Sequence, residues 1–310
     1  MLENVKLVQV HVLGIDIGGT KIAAGCVDAN VQVLKTLTVP TLAEERLEVS
    51  LGQLWRAIDS LLDPQTRAIG ICAPGPLNPK TGVVLNPSNL PHWRNVALAA
   101  MVRQRYGLPC QVENDANAAA LAECMFGAAQ GYASVFYATL STGIGAGIVL
   151  NGKIHHGKNG AAAEGGHVTI DYRNGPVCNC GSTGCIEAFA SGTALAKAGL
   201  VPEELGAAIA IGNAEALEVL DTMSLQLAAW LGSVISLLDP DVIVLGGGLA
   251  QLGEPLFERL RQWTPHRTIN RFAAGTPIVA AGLRQYTGIV GAAVTVLQVI
   301  DARSSPPARP

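Results

Sequence analysis

Val8-Gln-Val-His-Val-Leu-Gly-Ile-Asp16-Ile-Gly18-Gly19-Thr20-Lys21 decides how this chain folds. Val8 to Asp16 is apolar enough for a buried strand, and the glycines end it in a tight turn. Ile22 to Val27 reads as a second strand and Val31 to Val39 as a third. The pattern returns at Ala133-Ser-Val-Phe-Tyr-Ala-Thr-Leu140-Ser141-Thr142-Gly143-Ile144-Gly145. There Ala146 to Leu150 is the second strand and Lys153 to His155 a short third. Two copies about 125 residues apart mark a duplicated domain rather than a short-period solenoid.

Helix and strand alternate through the rest, which predicts an α/β protein. Helices are expected over Glu44–Leu62, Val96–Tyr106, Asp115–Phe126, Ala214–Leu238 and Thr287–Ile300. Further strands are expected at Arg67–Ala73, Cys110–Glu113 and Val242–Leu245. The domain change is placed near Glu113, giving a small domain over 1–112 and a larger one over 113–291. The last helix has the option of packing back on the first domain. The tail from Ser304, and residues 301–310 more broadly, reads as disordered.

Composition narrows the function classes. The 310 residues carry a net charge of −3 with no basic run, so nucleic acid is not an expected partner. Nothing at the N-terminus reads as a signal peptide, no apolar run is judged long enough to span a membrane, and a membrane partner is not expected. The seven cysteines do not read as a secreted disulfide framework.

Three of those cysteines fall in Cys178-Asn-Cys180-Gly-Ser-Thr-Gly-Cys185-Ile-Glu187, with His167 just upstream in Glu164-Gly-Gly-His167. Three thiolates and an imidazole make a closed tetrahedral zinc shell, which braces a loop rather than attacking a substrate. Three unrelated buried thiols, or a reactive pair, are the competing reading. A thiolate zinc site suits a reducing cytosol, and a cytoplasmic protein is expected. Glu164 and Glu187 flank these ligands, either as acceptors for vicinal hydroxyls or as solvated surface groups.

The glycine turns point to phosphate. At Asp16-Ile-Gly18-Gly19-Thr20-Lys21, backbone N–H groups can approach phosphate oxygens closely, with Thr20 and Lys21 adding a hydroxyl and a charge. Asp16 is suited to holding magnesium through water. Thr142, Gly143 and Gly145 repeat the arrangement, so two turns would clamp a polyphosphate. Gly246-Gly247-Gly248 is either a platform for adenine or a plain structural turn. In Glu113-Asn114-Asp115-Ala-Asn117 a carboxylate sits at a helix mouth. Asp115 is either a general base for a hydroxyl or a helix cap.

Together these segments resemble the ROK family of sugar kinases and sugar-responsive repressors, within the actin and sugar-kinase superfamily. The residues that carry the resemblance are Asp16-Ile-Gly-Gly-Thr-Lys21, Ala73-Pro-Gly-Pro76, Asn114-Asp115-Ala-Asn117, Ser141-Thr-Gly-Ile-Gly145, Glu164-Gly-Gly-His167 and the cysteine segment. The resemblance implies two RNase-H-like domains of the actin and hexokinase type with a cleft between them. It implies ATP with Mg2+, structural Zn2+ on His167, Cys178, Cys180 and Cys185, and a hexose phosphorylated at its 6-hydroxyl. It implies Asp115 as the base, and Gly75, Asn89, Asn114, Glu164, His167 and Glu187 around the sugar. Asn89-Leu-Pro-His-Trp93 looks like the glucokinase branch. Gly175-Pro-Val-Cys178 and Glu187-Ala-Phe-Ala-Ser-Gly192 look like kinases of N-acetylmannosamine or N-acetylglucosamine. Glucose ranks first, and a homodimer or homotetramer is expected. A repressor of this family needs a DNA-binding module ahead of the first strand, and thirteen residues precede Gly14, so a regulator is the less expected reading.

Overall fold

The computed structural model describes residues 10–283 and 286–304. Its elements begin with strands β1 (His11–Ile17), β2 (Lys21–Val27) and β3 (Val33–Pro40), helix α1 (Leu47–Leu61), β4 (Thr66–Ala73), and a small β5 (Leu77–Asn78) and β6 (Val83–Val84) pair. Then come α2 (Leu98–Tyr106), β7 (Cys110–Asn114), α3 (Asp115–Phe126), β8 (Ser134–Leu140), β9 (Ile144–Leu150) and β10 (Lys153–Ile154). The rest is α4 (Ile186–Ala190), α5 (Gly192–Lys197), α6 (Pro202–Ala210), α7 (Ala214–Leu238), β11 (Val242–Gly246), α8 (Glu254–Trp263), β12 (Ile278–Ala280) and α9 (Thr287–Ser304). The chain divides into two compact units, Met1–Ala122 with Gln285–Pro310, and Glu123–Arg284.

The first unit is built on a sheet of order β3-β2-β1-β4-β7. β1 pairs antiparallel with β2 and parallel with β4, which pairs parallel with β7. Side chains alternate along β1. Leu13, Ile15 and Ile17 join Leu54 and Ile58 of α1 and Leu98 and Val102 of α2 in one buried cluster. Val12, on the other face, joins Ala68, Ile289, Ala293 and Val296. Helices therefore cover both faces, which is why β1 and β4 read as nearly continuous apolar runs.

On the α9 face the helix backbone lies directly on the strands. A Cβ on Gly14 would strike the Ile289 carbonyl, and one on Gly70 the Ala292 carbonyl. α9 therefore belongs to the first unit although it comes last in sequence. The division falls within α3, one helix later than the expected change at Glu113. Ala118 of α3 packs with Cys72 of β4 and Ala292 of α9, which holds the start of α3 to the first sheet. α9 continues to Ser304, so 301–304 are helical rather than a loose tail. The remainder of that tail, 305–310, and the expected start of the first strand at Val8 lie outside the described residues.

The second unit repeats the plan in the order β10-β9-β8-β11-β12. β8 pairs antiparallel with β9 and parallel with β11, and β11 pairs parallel with β12. β8 thus stands where β1 does and β11 where β4 does. Its core is one cluster around α7, whose Trp230 meets Phe136 of β8 edge-on at 5.7 Å. By length and composition α7 is apolar enough to cross a membrane, contrary to the reading that no run reaches that length. Leu220, Met223, Leu227, Trp230 and Leu231 are spent on this core instead. The sequence reading passed over α4, α5 and α6. Two of these have five and six residues, too short to show a 3.6-residue period.

Gly70→Ala should test the α9 contact. The added methyl meets a backbone carbonyl, so the helix must lift and cannot simply repack. Overpacking of this kind costs about 1–3 kcal/mol. A lower midpoint of urea unfolding is expected, and an unchanged midpoint would contradict the contact.

Candidate active site

In the first unit, β1 ends at Ile17, and the chain turns through Gly18, Gly19 and Thr20 to return as β2 from Lys21. Gly18 N–H donates to Lys21 O at 2.9 Å, closing the turn. Thr41, just past β3, pins it from outside: its hydroxyl donates to Gly18 O at 2.6 Å and its N–H to Thr20 O at 3.0 Å. Thr20 and Lys21 are exposed. Asn89 lies against this turn, because a Cβ on Gly19 would come within 3.1 Å of the Asn89 Cβ. Asp16 is on the α9 face, beside Gly288 in the first turn of that helix. Burial raises its pKa, opposed by the Cys72 thiol, which donates to Oδ1 at 3.4 Å, and by the charge of Lys21.

β7 ends at the mouth of α3. Asn114 caps the helix: its Oδ1 accepts from the N–H groups of Ala116 at 3.0 Å and Asn117 at 3.1 Å. Buried Glu113 steadies this turn, accepting from Asn114 N–H at 2.9 Å and the Asn117 side-chain amide at 3.1 Å. Asp115 is the first helical residue, with Oδ1 accepting from Ala116 N–H at 2.8 Å. Gly75 belongs to this unit as well, in a cis peptide with Pro76 just beyond β4.

In the second unit the turn at Ser141–Gly143 is closed by Ser141 N–H donating to Gly143 O at 2.9 Å. It is also stitched to the start of α5. Gly192 N–H donates to Ser141 O at 2.7 Å, and the Thr193 N–H and hydroxyl donate to Thr142 O at 3.0 and 2.8 Å. A cavity of about 660 Å³ opens beside it, lined by Thr142, Thr193, Glu203, Gly206, Gly248 and Leu252 among others. Thr142 and Gly248, two of the residues expected at the nucleotide, are both in that lining. Gly145 is a paired residue of β9 opposite Thr139. Gly247 packs on the Leu140 backbone at φ +86°, where a side chain would not fit. Neither is among the residues lining the cavity. Thr193, Glu203 and Gly206 were missed because they lie on the short helices α5 and α6, which carry no motif.

His167, Cys178, Cys180 and Cys185 bring one ligand atom each within 4.8 Å of the others. Cys178 Sγ is 3.6 Å from His167 Nδ1, and Cys180 Sγ is 3.7 Å from Cys185 Sγ. Sulfurs on a tetrahedral zinc with bonds of about 2.3 Å stand about 3.8 Å apart, so this donor set fits zinc. Burial pushes the Cys178 thiol up to about 12 and raises Cys185, while the Ser182 N–H lowers Cys180. Glu187 links this cluster to the turn. Its Oε2 accepts from Ile144 N–H at 2.8 Å, and its Oε1 accepts from the Cys178 thiol at 3.7 Å. Gly143 is glycine because a Cβ would strike that carboxylate. Glu164 immediately precedes the 3-10 turn that carries His167.

The chain and its fold have close counterparts. Glucokinase of Thermotoga maritima is 34% identical over 94% of this chain and 99% of its own length. The crystal structure of a ROK family glucokinase from Streptomyces griseus, in complex with glucose and AMPPNP, matches with a TM-score of 0.82. It is 34% identical and the match covers 93% of this chain and 99% of that one. A ROK hexokinase from Thermus thermophilus matches with a TM-score of 0.81 at 36% identity, over 94% of this chain and 100% of that one. The duplicated sheets are those of the two-domain actin and hexokinase-like fold. The ROK family profile spans residues 12–299, from the first strand to the last helix, and the chain belongs to the ROK family.

Proposed function

We propose that this chain is an ATP-dependent hexokinase that phosphorylates the 6-hydroxyl of glucose. The observation that supports this reading is the mouth of α3: Asn114 already caps the helix, so Asp115, whose Oδ1 also accepts from Ala116 N–H, is not needed as the cap and is taken as the base. Family relatives that act as glucokinases, similar over nearly their whole length, support the substrate. The glycine turns supply backbone N–H groups for the phosphates of ATP, with Thr20, Lys21 and Thr142 beside them. The 660 Å³ cavity has the size for the nucleoside. Asp16 would hold Mg2+ through water. Zn2+ on His167, Cys178, Cys180 and Cys185 would fix the loop bearing Glu187. Asn89, Asn114, Gly75, Glu164 and His167, with Glu187, would contact the sugar.

Phosphoryl transfer asks little covalent chemistry of the protein. Asp115 takes the hydroxyl proton as the oxygen attacks the γ-phosphorus, and the charged turns stabilise the phosphoryl oxygens. A coupled assay of ADP release over a panel of hexoses and N-acetylhexosamines tests the substrate. The highest kcat/KM should fall on glucose, and a higher value on N-acetylmannosamine or N-acetylglucosamine would reassign it.

Asp115→Asn should fold and bind glucose with near-normal affinity, yet turn over at least ~100-fold more slowly, since positioned bases give ~10²–10⁴ in rate. Activity within a few-fold of the parent, at an unchanged melting temperature, would remove Asp115 from the mechanism.

Cys180→Ser should lower the zinc content together with the melting temperature and raise KM for glucose, because ligand loop and sugar contacts share one segment. Glu187 also holds Ile144 N–H, so KM for ATP should rise too. Metal analysis of the parent finding no zinc would refute the assignment.

A further inference from the structure

We infer that His11, Cys26 and Asp63 form a second metal site, of the zinc class, in the first unit and apart from the cysteine loop. The three side chains come from the start of β1, the end of β2 and the turn after α1. Sheet register brings them together. Cys26 stands opposite Leu13, so His11, two residues earlier on β1, lies on the same face. That is the face covered by α1, whose C-terminal end delivers Asp63. One ligand atom from each lies within 4.8 Å of the other two.

The donor set is selective. Imidazole, thiolate and carboxylate together suit zinc, and a thiolate disfavours magnesium and calcium. Cys26 is buried, whereas the His11 and Asp63 side chains are 12% and 29% exposed. An ion therefore enters from the His11–Asp63 side, where water can complete the shell. Zn2+, one thiolate and one carboxylate sum to zero charge, which a half-buried position tolerates.

The carboxylate is already oriented. Asp63 Oδ1 accepts from Gln65 N–H at 2.8 Å and from the Thr66 hydroxyl at 3.2 Å. Its Oδ2 is 2.7 Å from His11 Nδ1. These outer bonds are of the kind that hold a metal-bound carboxylate in place. Two ligands on zinc at about 2.0–2.1 Å stand about 3.3 Å apart, so this pair opens by about half an ångström when the ion enters. Burial, then the charge of Asp63, keeps the Cys26 thiol protonated. On binding, zinc takes the thiolate and that proton passes to solvent.

β1 carries the glycine turn at its other end, about 20 Å along the strand from His11. The site would clip β1, β2 and the end of α1 together, which bears on stability and not on phosphoryl transfer.

Zinc content after exhaustive dialysis against metal-free buffer, and the melting temperature with and without added zinc, test this on the full chain. The parent should hold one more zinc than Cys26→Ser and than His11→Gln. Both variants should lose part of the zinc-induced rise in melting temperature and keep parental kcat and KM. Cys180→Ser serves as the comparison, since its zinc loss must add to that of Cys26→Ser in the double variant. Cadmium should give a thiolate absorption that persists in Cys180→Ser and weakens on adding Cys26→Ser. Equal zinc content in the parent and both first-unit variants would overturn the inference, whatever the cysteine loop binds.

Discussion

The central strand of each unit must reverse within a few residues while both of its faces stay buried, and the rest of the structure depends on that constraint. β1 and β8 each have an antiparallel neighbour on one side and a parallel one on the other. A connection this short, at the edge of a covered sheet, has room for glycines and small hydroxyl residues only. Gly18 and Gly19 in one unit and Gly143 in the other meet that demand. The same lack of side chains lets a ligand approach the backbone closely, so the residues that allow the fold are also those proposed above to meet the phosphates.

Packing in each unit then fixes what surrounds the turn. In the first, α9 lies on the sheet at Gly14 and Gly70, and its first turn reaches Asp16 through Gly288. In the second, the turn is bonded to α5, and Glu187 joins it to the cysteine loop. The zinc shell proposed there would act on chemistry only through such connections. It would hold the loop of Cys178, and Glu187 bonds both the Cys178 thiol and Ile144 N–H of the turn.

The mouth of α3 shows how neighbouring polar residues divide their work. Glu113, Asn114 and Asp115 are all capable of binding backbone N–H groups. Glu113 is buried and holds Asn114 and Asn117, and Asn114 satisfies the helix end. Asp115, the first helical residue, accepts from Ala116 N–H as well, and it is the carboxylate proposed above as the base.

The sequence by itself determined the duplicated strand–turn–strand plan, because buried strands and tight turns restrict residue type locally. It likewise determined the cysteine and histidine set, whose ligands lie within one short stretch of chain. Only the tertiary structure decided which unit α9 joins, since Gly14 and Gly70 become legible as contact points once a helix from the far end of the chain lies on them. Only the tertiary structure brought Cys72 to Asp16, and His11 and Cys26 to Asp63. It also showed that Gly247 packs on the Leu140 backbone, a contact no local motif announces. The reason is physical: turn chemistry and metal spacing act over a few residues, whereas the neighbour that a buried side chain meets is set by sheet register and helix placement across the whole chain.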